Sequence, residues 1–162
     1  IRVFVKHVNQ PIDEESEKHL SELRRSEETM NLNTDRPYEE FFQRCEKLKE
    51  QAVSFIKKEA SAGKKIHAYG ASTKGNTILQ YYGLDNTLIE TIADRNSDKW
   101  SRRTIGTNLK IISEEESRSL NPDYYLILPW HFLEEFRQRE KEFFKNGGKF
   151  IVPLPDFKII EE

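Results

Sequence analysis

The sequence predicts an α/β fold: a mostly parallel sheet flanked by helices and preceded by a helical arm. Three observations carry that expectation. From Lys64 onward, short β-branched or aromatic runs alternate with helical patterns, and such alternation builds a parallel sheet covered on both faces. Tyr124 to Leu128 is almost wholly apolar, as a strand buried on both sides must be. The run from Lys65 to Thr77 reads as a strand, a glycine turn and the opening of a helix.

In chain order, Ile1 to Val8 alternates β-branched with polar residues and reads as a strand, one expected to belong to a sheet that lies elsewhere. Residues 9–34 are charged, with few apolar anchors, and predict a solvated linker with a helix capped by Ser16 and running to about Glu28. Asp35 to Ala62 is the clearest helix. Pro37 suits a first turn, Gly63 suits a stop, and Tyr38, Phe41, Cys45, Leu48, Ala52 and Phe55 draw one apolar stripe, read as core packing.

A strand from Ile66 to Tyr69 then meets Gly70, and a helix opens between Ser72 and Asn76 and continues to Tyr82 with Ile78 and Leu79 inward. Leu88 to Ala93 and Leu109 to Ile112 are the next strands, and Ser113 caps a Glu-rich helix. After the strand from Tyr124 to Leu128, one helix is expected from His131 to Asn146, closed by Gly147 and Gly148. Lys149 to Val152 reads as the final strand, ended by Pro153 and Pro155.

The glycine turn is the candidate site. A strand feeding a helix through small residues leaves backbone N–H groups pointing into a crevice, where they suit a phosphate or carboxylate. Gly70, Ala71, Ser72, Thr73, Lys74, Gly75 and Asn76 form that stretch, with Lys74 adding charge and Ser72 and Thr73 adding hydroxyls. Gly70 and Gly75 miss the G-x-G-x-x-G spacing, and Asn76 stands where a P-loop places its lysine, so neither motif is complete. The competing structural reading is that both glycines simply permit a close strand-to-helix turn.

Beyond other strand ends lie Asp94, suited to a ribose or to capping the turn with Asn96, and Trp130 and His131, suited to a base or sugar or to core plugging and capping. Lys99, Arg102 and Arg103 are either phosphate contacts or solvated loop residues. No metal-ligand spacing involves His7, His19 or His67, and no nucleophile–base pair emerges. The residues predict a binding site without catalytic machinery.

Composition bounds the partners. The 162 residues carry a formal net charge of -2 and a pI of about 6.2, which argues against nucleic acid. No apolar run approaches the ~20 residues of a membrane span. Cys45 is the lone cysteine, which excludes an internal disulfide and a cysteine zinc cage and fits the cytoplasm; it reads as a buried small hydrophobe. The chain lacks an initial Met and a secretory signal and is expected to be a fragment.

The stretch Gly63 to Thr77, together with Asp94 to Lys99, Gly106-Thr107, Pro122 to Phe132 and Gly147 to Pro155, resembles the carboxy-terminal domain of sugar-nucleotide C-methyltransferases. The likeness runs in order from about Tyr38 to Pro155. It implies a Rossmann-like domain, residues 35–162, that anchors a nucleotide-diphosphate sugar through Gly70 to Asn76, with Asp94, Trp130 and His131 as further contacts. It implies no catalytic residue here. The resemblance places a zinc module, the S-adenosylmethionine site and the proton-abstracting residues in a missing methyltransferase part, of which residues 1–8 are the closing strand. The fragment itself is then expected to bind no cofactor. A nicotinamide-binding domain and a non-catalytic packing or oligomerisation domain are the alternatives.

Overall fold

A computed structural model describes residues 3–161. The chain forms two compact units, residues 1–44 and 45–162.

The first unit holds α1 (Glu14–Thr29) and the start of α2 (Arg36–Ser61). Asp13, not Ser16, caps α1: its two carboxylate oxygens accept from the Ser16 amide and hydroxyl, each at 2.8 Å. An ionised carboxylate at a helix N-terminus also meets the positive end of the dipole, and these bonds hold Asp13 below the usual carboxylate range. Among the described residues α1 buries none, as its charge-rich composition predicts. The expected first strand makes no ladder between residues 3 and 8, where Val3, Phe4, Val5 and Val8 are exposed; Ile1 and Arg2 lie outside the described residues.

The α2 stripe is core over only part of its length. Ala52 and Ile56 are fully buried and Cys45, Leu48 and Phe55 half-buried, whereas Tyr38 and Phe41 are 58% and 60% exposed. Periodicity finds the face a helix could bury; whether a partner surface extends along it is a tertiary matter.

The second unit is built on a six-stranded sheet in the order β3-β2-β1-β4-β5-β6, mostly parallel with one antiparallel edge. The strands are β1 (Ile66–Tyr69), β2 (Thr91–Ala93), β3 (Lys110–Ile112), β4 (Tyr124–Ile127), β5 (Lys149–Val152) and β6 (Lys158–Ile160). Helices α3 (Thr73–Tyr82), α4 (Glu114–Ser119), α5 (Leu133–Arg139) and α6 (Lys141–Lys145) complete the unit. Strand order reverses between β1 and β4, the switch point where open α/β sheets hold ligands.

Three expectations are corrected here. The strand expected at Leu88 shrinks to Thr91–Ala93, because Asp85 turns the preceding chain by accepting from the amides of Thr87, Leu88 and Ile89. The helix expected from His131 to Asn146 opens as a 3₁₀ turn (Trp130–Phe132) and breaks at Glu140 into α5 and α6. Chain after Pro155 returns as β6, pairing Phe150 with Ile160; a proline ends one strand but does not forbid another just beyond it.

Alternation along the strands sorts two cores. Ile66, Ala68, Tyr124 and Leu126 join Ala52, Ile56 and Leu79 on one face. Tyr69, Tyr125 and Ile127 join Phe136, Phe144 and Phe150 on the other. No helix among the described residues is long and apolar enough to cross a membrane.

Candidate functional site

The chain leaves β1 at Gly70 with φ +86°, a conformation open to glycine and costly for other residues. A side chain there would also collide with the Pro129 ring, and a Cβ at Gly75 would lie 2.7 Å from that of Leu128. Both glycines therefore permit a tight fit against the end of β4, as the structural reading of the motif expects.

The amides of this turn divide into answered and open groups. Gly70 N–H donates to the Ala93 carbonyl at 2.8 Å and Ser72 N–H to the Gly70 carbonyl at 2.9 Å. Ser72 caps α3, its hydroxyl oxygen accepting from Gly75 N–H at 3.0 Å, and its carbonyl accepts from Asn76 N–H. Ala71 N–H donates to the Asp94 carboxylate at 2.8 Å. Among the described residues the amides of Thr73 and Lys74 have no partner, and both residues are exposed at the first turn of α3. Open donors at the positive end of a helix dipole attract an anion, and the Lys74 ammonium stands on the same turn.

Asp94 is 8% exposed and braces the turn. One carboxylate oxygen accepts from Ala71 N–H and from Lys99 Nζ at 3.0 Å, the other from Asn96 N–H at 2.8 Å. Its carbonyl accepts from Trp100 Nε1 at 2.7 Å. Lys99 Nζ also donates to the Ala71 carbonyl at 2.9 Å. The turn capped by Asn96 was legible in the sequence; the bonds to Ala71 and Lys99 were not, since nothing local marks them.

Trp130 is half-buried against the apolar core, while His131 is exposed with its ring 4.4 Å from that of Phe132. Neither side chain hydrogen-bonds the turn among the described residues; they reach its neighbourhood through Pro129. Asn76 keeps a buried side-chain oxygen without a partner. Thus Gly70 to Asn76 and Asp94 form one bonded unit, and Trp130 and His131 stand beside it. Leu128, Pro129 and Trp100 also shape the site without having been expected there.

No group of three or more His, Cys, Asp or Glu among the described residues offers a metal site. Concavities of about 530 and 590 Å³ lie instead along the arm, lined by residues such as Arg24, Glu27, Asn33 and Arg36, and contain none of the expected site residues.

Residues 1–155 match the family described as the C-methyltransferase C-terminal domain. C-methyltransferase NovU from Streptomyces niveus is 34% identical over 148 residues, covering 91% of this chain and 35% of that protein. The chain therefore spans about a third of the length of this curated relative. By the extent of the family match, together with the fold and the turn already described, the chain belongs to the C-methyltransferase C-terminal domain family.

Proposed function

We propose that the chain is the substrate-anchoring portion of an S-adenosylmethionine-dependent sugar C-methyltransferase of the cytoplasm. It holds a nucleoside-diphosphate keto-deoxysugar by the diphosphate while a separate part of the enzyme transfers the methyl group. The observation that carries this is the pair of open amides at Thr73 and Lys74, set at the switch point with the Lys74 ammonium beside them. Ser72, Asn76 and Lys99 flank that position, Asp94 holds the turn in shape, and Trp130 and His131 border it. Binding a remote group spends no catalytic residue here yet aligns the sugar for reaction elsewhere.

S-adenosylmethionine supplies the methyl group in such chemistry, and on this reading it is held by the separate methyltransferase part and not by the turn. The acidic residue beyond β2, which would meet a ribose, is committed to Ala71, Lys99 and Asn96. The same commitment weighs against a nicotinamide dinucleotide. The close fit of both glycines against β4 favours a second reading, a packing or oligomerisation domain with no ligand.

A thermal-shift panel separates these. Thymidine or uridine diphosphate should stabilise the chain by about 2.7 kcal/mol at 100 times its dissociation constant, with NAD(P) inert. Lys74→Ala should weaken diphosphate binding in calorimetry with little change in stability. Stabilisation by NAD(P) alone would favour the dinucleotide, and no response to any nucleotide would favour the packing domain.

A further inference from the structure

On the sheet face opposite α3, a line of charged side chains runs inward from the rim. Arg95, next to Asp94, faces Glu135 at 3.7 Å, and Glu135 pairs with Arg139. Arg139 pairs with Glu114 at 2.7 Å, and Glu114 with Arg118 at 3.2 Å. Arg118 then clamps Glu140 through two nitrogens, at 2.9 and 2.5 Å. Glu140 is 1% exposed, and one of its oxygens accepts from the Tyr69 hydroxyl at 2.7 Å.

Both ends of this line touch the candidate turn. Tyr69 immediately precedes Gly70, and Arg95 immediately follows Asp94, which holds the Ala71 amide. Bringing the carboxylate inward also coincides with the break between α5 and α6, where Glu140 leaves helical geometry. Removing two charges from water costs about as much as their attraction returns, so a buried ion pair is a poor way to add stability and serves better to select one geometry.

We propose that Glu140 is a positioning residue: through Tyr69 it fixes the end of β1, and so sets where Ala71, Thr73 and Lys74 aim their amides. Burial and the Glu140 carboxylate push the Tyr69 hydroxyl well above the ordinary phenol range, so it remains a donor across the neutral range. The proposal concerns the shape of the turn, and its consequence for affinity rests on the anchoring function above.

The test compares Tyr69→Phe with Tyr124→Phe, which removes a like bond, Tyr124 hydroxyl to Glu59 at 2.8 Å, from the other sheet face. Amide exchange at Ala71 should be about tenfold faster in Tyr69→Phe and unchanged in Tyr124→Phe, at similar losses in Tm. Thymidine diphosphate should bind Tyr69→Phe about five- to tenfold more weakly and Tyr124→Phe normally. Equal behaviour of the two variants, or unchanged exchange at Ala71 in Tyr69→Phe, overturns the proposal. If Tyr69→Phe does not fold, Glu140→Leu takes the acceptor away from the Tyr69 hydroxyl instead, and unchanged exchange there is equally fatal. Should the parent chain bind no thymidine diphosphate, the anchoring function fails while the exchange result still decides this one.

Discussion

The two faces of the sheet solve the same packing problem with different chemistry. On one, Ile66, Ala68, Leu79, Ile92 and Leu126 make a core that is mainly aliphatic, with Tyr82 and Tyr124 the buried rings in it. On the other, aromatic rings surround polar groups: His67, Ser117, Tyr125, Tyr69 and Glu140 are all buried and bonded to one another in two short chains. The aliphatic face gains from burial in any well-packed arrangement, because the hydrophobic effect has no direction. The polar face is tolerable only in an arrangement that pairs its buried hydroxyls and carboxylate, and even here His67 Nε2 keeps no hydrogen-bond partner. The contrast assigns stability chiefly to the first face and uniqueness of geometry to the second.

The contrast can be broken by substitution. Leu126→Ala, at a site with no exposed surface, should cost about 3 kcal/mol in denaturant unfolding; a loss under about 1 kcal/mol would mean that the aliphatic face is not the main source of stability. Arg118→Ala strands the Glu140 carboxylate, but solvent reaches 40% of the Arg118 side chain, so the expected cost is nearer 2 kcal/mol. Replacing Glu140 and Arg118 together by Met and Leu should recover most of that loss, and a double variant weaker than Arg118→Ala would refute the view of this pair as geometric. Ser113→Ala, which removes the cap accepting from Glu116 N–H at 2.9 Å, should cost about 1 kcal/mol.

The mildest probe is pH. His67 has no exposed surface; its Nδ1 meets the Ser117 hydroxyl at 2.8 Å and its Nε2 faces Glu90 at 3.6 Å. Burial pushes its pKa below the ordinary 6.5, against the pull of Glu90 and with a smaller push from Lys65. The unfolded chain therefore takes up the proton more readily, so stability is complete above about pH 6.5 and declines as pH falls through the folded value. His67→Gln should flatten this slope in unfolding curves between pH 7 and 5. A slope unaltered by the substitution would place the acid sensitivity elsewhere.

Much of this architecture was legible because its causes are local. Ser72 and Ser113 announce helix starts, Gly63 announces a stop, and the alternating runs announce the parallel strands. What escaped was set by partners distant in sequence. Glu140 interrupts a helix where its carboxylate reaches Tyr69, 71 residues earlier, and Asp94 closes on Ala71 across 23 residues. The candidate turn was recognisable from Gly70 to Asn76, yet composition alone could not say which of its amides were already engaged. Tyr38 and Phe41 show the converse: a regular stripe looks like core whether or not anything covers it.

The clasp of Gly70 on Pro129 and of Gly75 on Leu128 has an evolutionary corollary. Bulk cannot be added at either glycine unless material is removed across the gap, so these four positions must drift in concert or stay put. Change would then come more readily at the protruding Ile105, where a mutation meets water instead of an opposing wall.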